Sequence, residues 1–411
     1  EVGKRHNLPI VQVIDKTGRL TEVAGKYAGM KVMEAREAML PELKEKGILV
    51  KEEDYTHNVA VCERCKSVVE PIISEEWFVK VRDMATEAVK TINNGDIDFL
   101  PKNYAMILTD WLENIHDWCI SRSLWWGHRI PVWSKGKEMK VSLESPGEGW
   151  VQDEQVLDTW FSSGLWPFST LGWPKKTVEL EKYFPWDFEI TAPEIKYLWI
   201  ARMIMLSKYF TGKIPFKQMF FHGMLRDLQG RKFSKSLGNG VDPNYLIDNW
   251  GVDATRMALY SYSIPGRDGK VSKQLLDERG KNFRNFETKL INISRFILEL
   301  KPADSKDAKL EFKHEDDQWI KAELDTTIKN VTANIDSVNL HLATDEIYNF
   351  VWHKLADVYL EKTKTRRAEA QPVLEYVLKD ILIILHPFMP FLTEELWQKL
   401  PGKETESIMT S

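Results

Sequence analysis

The chain has 411 residues, 43% hydrophobic and 28% charged, with a formal net charge of −5. That length exceeds one ordinary domain and points to two or three, and the acidic balance excludes a global attraction for nucleic acid, leaving local basic patches to meet any RNA. Three cysteines, Cys62, Cys65 and Cys119, make no disulfide framework, and the apolar run Ile381 to Leu385 is far too short to span a bilayer, so a cytoplasmic protein without a membrane partner is expected.

Residues 1 to 75 alternate short apolar runs with turn and charge clusters, as in Ile10-Val11-Gln12-Val13-Ile14 and Ala60-Val61, which reads as a small β-rich region at the end of a domain. Within it, Cys62-x-x-Cys65 is half of a zinc site, with His57 five residues upstream of Cys62. No second Cys-x-x-Cys exists to complete a tetrahedral set, so no metal is expected, and an ordinary turn between strands is the preferred reading. From Glu75 to about Asn114 the pattern turns helical and mixed. Trp111, Trp118, Trp125, Trp126 and Trp133 then crowd one stretch, and Lys135 to Trp150 reads as a loop or hairpin insertion.

Tyr183 to Ile190 reads as a strand, followed by a helix from Thr191. Thr191-x-x-Glu194 has the spacing of a capping box, Pro193 suits a first turn, and Ile195, Leu198, Trp199 and Met203 fall on one face. The strand Gln218-Met219-Phe220-Phe221 completes a βαβ unit of a parallel sheet and ends at His222-Gly223. After it comes Gly230-Arg231-Lys232-Phe233-Ser234-Lys235-Ser236-Leu237-Gly238-Asn239-Gly240, a Gly-flanked loop with two lysines three residues apart. Ammonium groups there can follow a triphosphate and neutralise charge as pyrophosphate leaves, although the same spacing also suits a solvated basic turn. Position favours the former, because ligands of open α/β sheets bind beyond the carboxyl ends of the strands. A glycine at 223 also admits a planar adenine or ribose close to the backbone.

Beyond Asp242-Pro243 the pattern is helical, broken by a charged linker at Lys301 to Asp317. Apolar positions Leu324, Ile328, Val331, Ile335 and Val338 suggest long packed helices. Two basic stretches, Arg279-x-Lys281-x-x-Arg284 and Lys362-x-Lys364-x-Arg366-Arg367, are candidate phosphate-binding groups or simply solvated helix faces.

The lysine loop resembles the KMSKS motif of class I aminoacyl-tRNA synthetases, with Phe233 where Met is usual, and Phe221-His222-Gly223 resembles the adenosine-contacting strand end of that family. Asp117-Trp118-Cys119-Ile120-Ser121-Arg122 is similar to a segment shared by the valyl and isoleucyl enzymes. The continuation Leu124-Trp125-Trp126-Gly127-His128-Arg129-Ile130-Pro131, the run Leu157-Asp158-Thr159-Trp160-Phe161-Ser162-Ser163-Gly164, and Glu1-Val2-Gly3-Lys4-Arg5-His6 resemble the valyl branch. Leu385-His386-Pro387-Phe388-Met389-Pro390-Phe391 resembles the anticodon-binding bundle of that group.

The resemblance implies an α/β fold: the C-terminal half of a class I Rossmann-like catalytic domain at 76 to 262. A β-rich editing-domain remnant at 1 to 75 would precede it, and a stem-contact region with an α-helical anticodon-binding bundle at 263 to 411 would follow. It implies an enzyme that joins valine to ATP, with Mg²⁺, and passes the valyl group to tRNA(Val), acting as a monomer when complete. Lys232 and Lys235 would be catalytic. His222, Gly223, Met224 and Ser234 would join them around ATP, and Trp160, Glu194 and Trp199 would line the amino-acid pocket, unless the two tryptophans are core residues and Glu194 only a cap. Arg279, Lys281, Arg284, Lys362, Lys364, Arg366 and Arg367 would meet tRNA. The His-x-Gly-His element of the family is not found in the sequence, nor is the acidic residue of the editing site or a coiled-coil arm. The first residue is Glu1, so the chain reads as a piece of something longer, expected to be inactive alone. An isoleucyl enzyme and a non-catalytic tRNA-binding remnant are the alternatives.

Overall fold

A computed structural model describes residues 2–62, 65–234, 237–299, 310–403 and 405–411. The chain divides into two units, Glu1–Val79 with Cys119–Ser121, and Lys80–Trp118 with Arg122–Ser411.

The first unit does not meet the expectation of a β-rich region. Its longest element is a helix, α1 (Val32–Glu45), and among the described residues its pairing before residue 76 is confined to isolated bridges such as Ile14 to Leu20 and Val61 to Val68. The apolar alternation has no face to cover it. Ile10 is 76% exposed and Val50 94%, and Ala35 is the one buried hydrophobic among the described residues of the unit. A strand pattern without a partner sheet gains neither a ladder nor burial, so the backbone stays irregular.

In the second unit, helix α2 (Arg82–Asn93) buries Ala85, Ala88 and Ile92 at helical spacing and leads to strand β1 (Asp98–Leu100) and helix α3 (Asn103–Glu113). The predicted insertion is an antiparallel hairpin of β2 (Val132–Lys135) and β3 (Glu138–Val141), with β4 (Val151–Gln152) on the other side of β2. Helix α4 (Thr159–Ser169) follows, then strand β5 (Trp186–Thr191).

The connection to the next strand changes its winding twice. Pro193–Ile195 is a 3-10 turn, Lys196–Ile200 a wider π-type turn, and only then does the regular helix α5 (Ala201–Thr211) begin. Thr191 therefore caps nothing. It closes β5, paired with Phe221, and its carbonyl accepts from the His222 amide at 3.1 Å, which holds it in the sheet. The wider turn also shifts the helical phase, so that Met203 is buried while Leu198 is 43% exposed. Strand β6 (Phe216–Phe221) lies between β1 and β5, parallel to both, and buries Phe216, Met219, Phe220 and Phe221, as a central strand covered on both faces does.

Strand β7 (Leu225–Arg226) precedes helices α6 (Pro243–Trp250) and α7 (Val252–Tyr260), and pairs in parallel with β8 (Gly269–Lys270). Helices α8 (Lys273–Leu298), α9 (Glu315–Asp336), α10 (Leu340–Asn349), α11 (Arg367–Leu385) and α12 (Pro390–Trp397) form the bundle. Leu324 and Val331 are in its core and Ile328 and Ile335 pack against it, whereas Val338 lies past the end of α9 at φ 57°. One continuous core runs from Ala254 to Ile408, so α7 packs into the bundle although it precedes the expected boundary at 262. Asp253 on α7 accepts from the Leu392 amide at 2.7 Å, satisfying the start of α12, and Arg256 donates to the carbonyls of Pro387 and Phe388 at 2.9 and 3.1 Å. The His386 to Phe391 segment is thus tied to α7.

Candidate active site

Strands β5 and β6 deliver Thr191 and Phe221 to the same edge of the sheet, and the chain continues from Phe221 into His222-Gly223-Met224. The His222 ring donates locally, from Nδ1 to the Gly223 carbonyl at 2.9 Å. Gly223 is needed for an internal reason: a Cβ there would sit 1.7 Å from the carbonyl oxygen of Arg267. The expected approach of a ring to this glycine is therefore limited on one side by the protein's own backbone. The Met224 amide donates to Asp268 Oδ1 at 2.8 Å, and Arg226 pairs with Asp268 and, at 3.2 Å, with Glu194. Partial burial pushes the Asp268 carboxyl up, but the Met224 amide and Arg226 outweigh it and hold it below the usual range. Glu194, freed from the capping role, reaches across to Arg226.

The lysine loop is built on a tight turn. The Asp227 amide donates to the Arg231 carbonyl at 3.0 Å, the Gly230 amide donates to the Asp227 carbonyl at 2.8 Å with Gly230 at φ 80°, and Arg226 bridges to Lys232. The Asp227 carboxylate accepts from Asn239 Nδ2 at 2.9 Å, from the Arg231 amide at 2.8 Å and from Arg231 Nε at 2.7 Å. The Asn239 bond leads these in holding the Asp227 pKa down at about 2. Phe233, in place of the usual Met, packs with Val241 and Tyr245 against a small core of Leu246, Val271 and Leu276. Lys232 is exposed. Lys235 lies outside the described residues.

The tryptophans of the expected pocket are half-buried, Trp160 in the first turn of α4 and Trp199 in the π-type turn ahead of α5. Trp199 donates from Nε1 to the Ser163 carbonyl on α4 at 3.0 Å, one turn beyond Trp160. Gly164 permits this approach, since a Cβ on it would lie 2.7 Å from Leu206 Cδ1. The start of α4 is fixed by Asp158, 6% exposed, whose Oδ1 accepts from the Trp160 amide at 3.2 Å. Its Oδ2 accepts from Trp118 Nε1 at 2.9 Å and Arg122 Nη2 at 2.8 Å. Arg202, 8% exposed, covers the Trp118 ring at 4.1 Å, and burial, opposed by the charge of Asp158, lowers its pKa to about 10. Asp158, Asp268, Arg202 and Arg226 received no role from the sequence. Of these, only Asp158, placed ahead of the helical run Thr159 to Ser169, carried a signal that cap rules could have read.

The basic candidates separate into two groups. Arg279 and Lys281 are exposed on α8, and Arg284 is exposed but pairs with Glu287 at 2.7 Å. Lys362 pairs with Asp316 and Lys364 with Glu361, at 2.5 and 2.6 Å. Arg366 grips the buried Asp317 at 2.6 and 3.2 Å, and Arg367 lies 3.8 Å over the Phe296 ring and donates to the Phe296 carbonyl, so these two serve the bundle interior. Cys62 and Cys65 sit on a turn in which the Lys66 amide donates to the Cys62 carbonyl at 2.9 Å and Val61 bridges to Val68. Hydrogen bonds, chiefly to the Ser67 side chain, bring the Cys65 thiol down to about 7. Among the described residues, no group of three or more His, Cys, Asp or Glu side chains is placed to hold a metal ion.

A parallel βαβ unit with a lysine loop beyond its strand ends, followed by a helical bundle, matches two family models. That of class I tRNA synthetases (I, L, M and V) covers residues 11–146 and 134–272, and that of the anticodon-binding domain of tRNA ligase covers 317–411. The chain belongs to the class I tRNA synthetase family. Its curated relatives at 41–45% identity are valine–tRNA ligases. The one from Thermotoga maritima is 44% identical, over 97% of this chain and 47% of its own length, and the one from Carboxydothermus hydrogenoformans 45% identical, over 100% and 48%. The chain thus spans about half the length of the curated relatives it matches. Among solved structures, methionyl-tRNA synthetase of Mycobacterium tuberculosis bound by methionyl-adenylate is similar at TM-score 0.64 and 19% identity, over 82% of this chain and 65% of that one. The LeuRS of Agrobacterium radiobacter K84, in a ternary complex with tRNA and LeuAMS, is similar at TM-score 0.59 and 20% identity, over 72% and 42%. Those two likenesses show the fold.

Proposed function

We propose that this chain carries the lysine-loop half of the catalytic site and the anticodon-binding bundle of a cytoplasmic valine–tRNA ligase. The observation that carries this reading is that the lysine-loop sequence Gly230 to Gly240 follows the carboxyl end of β6, in a chain with relatives at 41–45% identity named as valine–tRNA ligases. ATP, with Mg²⁺ on its phosphate oxygens, lies with its adenosine against His222, Gly223 and Met224. Lys232 and Lys235, with Ser234 between them, stabilise the charge that builds on the departing pyrophosphate. Such groups act by being in place before the reaction, which is why a braced loop matters more than a long reach.

Valine sits between Trp160 and Trp199, and flat indoles exclude a longer side chain, a discrimination worth about 1–3 kcal/mol for one methylene. Glu194, tethered through Arg226 to the Met224 segment, accepts the ammonium group of valine. The terminal ribose of tRNA(Val) then takes the valyl group. Arg279 and Lys281 meet tRNA phosphates, whereas Arg366 and Arg367 are consumed by the bundle. Because the sequence holds no His-x-Gly-His element, the chain alone is expected not to form the adenylate. Pyrophosphate exchange into ATP, run with valine and with isoleucine, tests the reading. Valine-dependent exchange by the chain alone would overturn the expectation of inactivity, and a preference for isoleucine would overturn the amino-acid assignment.

A further inference from the structure

Lys232 is exposed, so the direction of its side chain depends on how the backbone from Lys232 to Ser234 is held. Asn239 supplies three bonds from one amide. Its Oδ1 accepts from the Ser234 amide at 3.0 Å, and its Nδ2 donates to the Lys232 carbonyl at 3.2 Å and to Asp227 Oδ2 at 2.9 Å. Asp227, 7% exposed, is itself locked by Arg231 through both its backbone amide and its side chain. Phe233, between the two backbone groups that Asn239 holds, is packed on the small core below. A backbone carbonyl and a backbone amide two residues apart are thereby bound to one side chain, which determines the direction in which Lys232 leaves the chain.

We propose that Asn239 is a positioning residue for the phosphate-binding loop, bracing the Lys232 to Ser234 backbone against Asp227. The proposal rests on the reading of this loop as one that meets phosphate. Asparagine suits the task because it offers an acceptor and two donors at once. Aspartate keeps the acceptor for Ser234 but loses both donors and faces the Asp227 carboxylate. Exchanging the pair restores a donor on the opposite side.

Hydrogen exchange at the Ser234 amide in the 411-residue chain tests this, with Asn239→Ala, Asn239→Asp, Asp227→Asn and the double variant Asn239→Asp with Asp227→Asn. Asn239→Ala should lower Ser234 protection by about tenfold, the size of one net hydrogen bond. Asn239→Asp should lose protection at pH 7–8 and regain it towards pH 5 as the introduced carboxyl takes up a proton, while the double variant should approach wild type at all pH values. Melting temperature, read alongside, should hardly change, because the clasp lies outside the bundle core. Unchanged protection in Asn239→Ala, or a double variant no better than Asn239→Asp, would overturn the proposal. Titration with ATP and Mg²⁺, followed by the Lys232 ammonium resonance, separates the two claims. If that resonance is unmoved in wild type while Ser234 follows the expected series, the phosphate reading fails and the brace stands.

Discussion

Asp158 gathers an indole N–H, a guanidinium and the Trp160 amide in the first turn of α4 on one nearly buried carboxylate. Removing it takes the acceptor from the Trp118 indole and the Trp160 amide and one partner from Arg122, so Asp158→Ala should cost about 1–3 kcal/mol, the penalty for buried donors left unsatisfied. Asp158→Asn keeps one acceptor and should cost clearly less. Urea unfolding of both variants decides, and an alanine variant within about 0.5 kcal/mol of wild type, the scatter of an ordinary surface change, would remove Asp158 from its place as the anchor of Trp160. Gly223 offers a second test at this scale. A methyl group at 223 meets the Arg267 carbonyl rather than open space, so Gly223→Ala should cost about 1–3 kcal/mol of strain, even without ATP. Unaltered stability with impaired ATP binding would mean that the glycine serves only the ligand.

At the scale of elements, β5 holds an ionisable group where a sheet rarely places one. Glu189 is 7% exposed, and burial pushes its carboxyl from an ordinary 4.5 up to about 7. Between those values the folded chain keeps a proton that the unfolded chain releases. The stability due to Glu189 is therefore complete below pH 4.5, falls as pH rises and has gone above pH 7. Glu189→Gln should stabilise the chain at pH 8 by up to about 2–3 kcal/mol relative to its effect at pH 4.5. An effect independent of pH in urea unfolding would show that Glu189 is not buried neutral. Elements with strong periodicity and partners, β6 and the long bundle helices, were legible in advance, and the composition of Lys135 to Trp150 marked a loop or hairpin whose strands reach from Val132 to Gln152. The turn to Trp199 was not, because the pairing of Thr191 with Phe221 overrides its capping signal and the π-type winding breaks the period of 3.6. The first 75 residues misled for a related reason, since alternation describes a strand only where a sheet exists to receive it. In the candidate site the glycines, lysines and tryptophans carried a signal through motif and order. Asp268, Arg226 and Arg202 did not, because their partners lie up to scores of residues away and only folding brings them together.

For the molecule as a whole, the net charge of −5 leaves any RNA to be met by local basic groups. Exposed Arg279 and Lys281 on α8 fit that task better than the neutralised basic run near Arg366. Replacing both by Ala should weaken tRNA binding and lower the slope of log affinity against log salt by about 1 for each phosphate that is no longer neutralised, whereas Arg366→Ala should lower bundle stability first. Equal salt slopes for wild type and the α8 double variant would remove α8 from the interface. Among the described residues no helix is long and apolar enough to cross a membrane. Whether this chain supplies the lysine-loop half of a valine site is decided by combining it with the amino-terminal half of the Thermotoga maritima relative and measuring amino-acid-dependent exchange of pyrophosphate into ATP. Exchange with valine is expected, at least about tenfold less with isoleucine, and exchange should be lost in Lys232→Ala. Exchange that prefers isoleucine, or that persists undiminished without Lys232, would contradict that role.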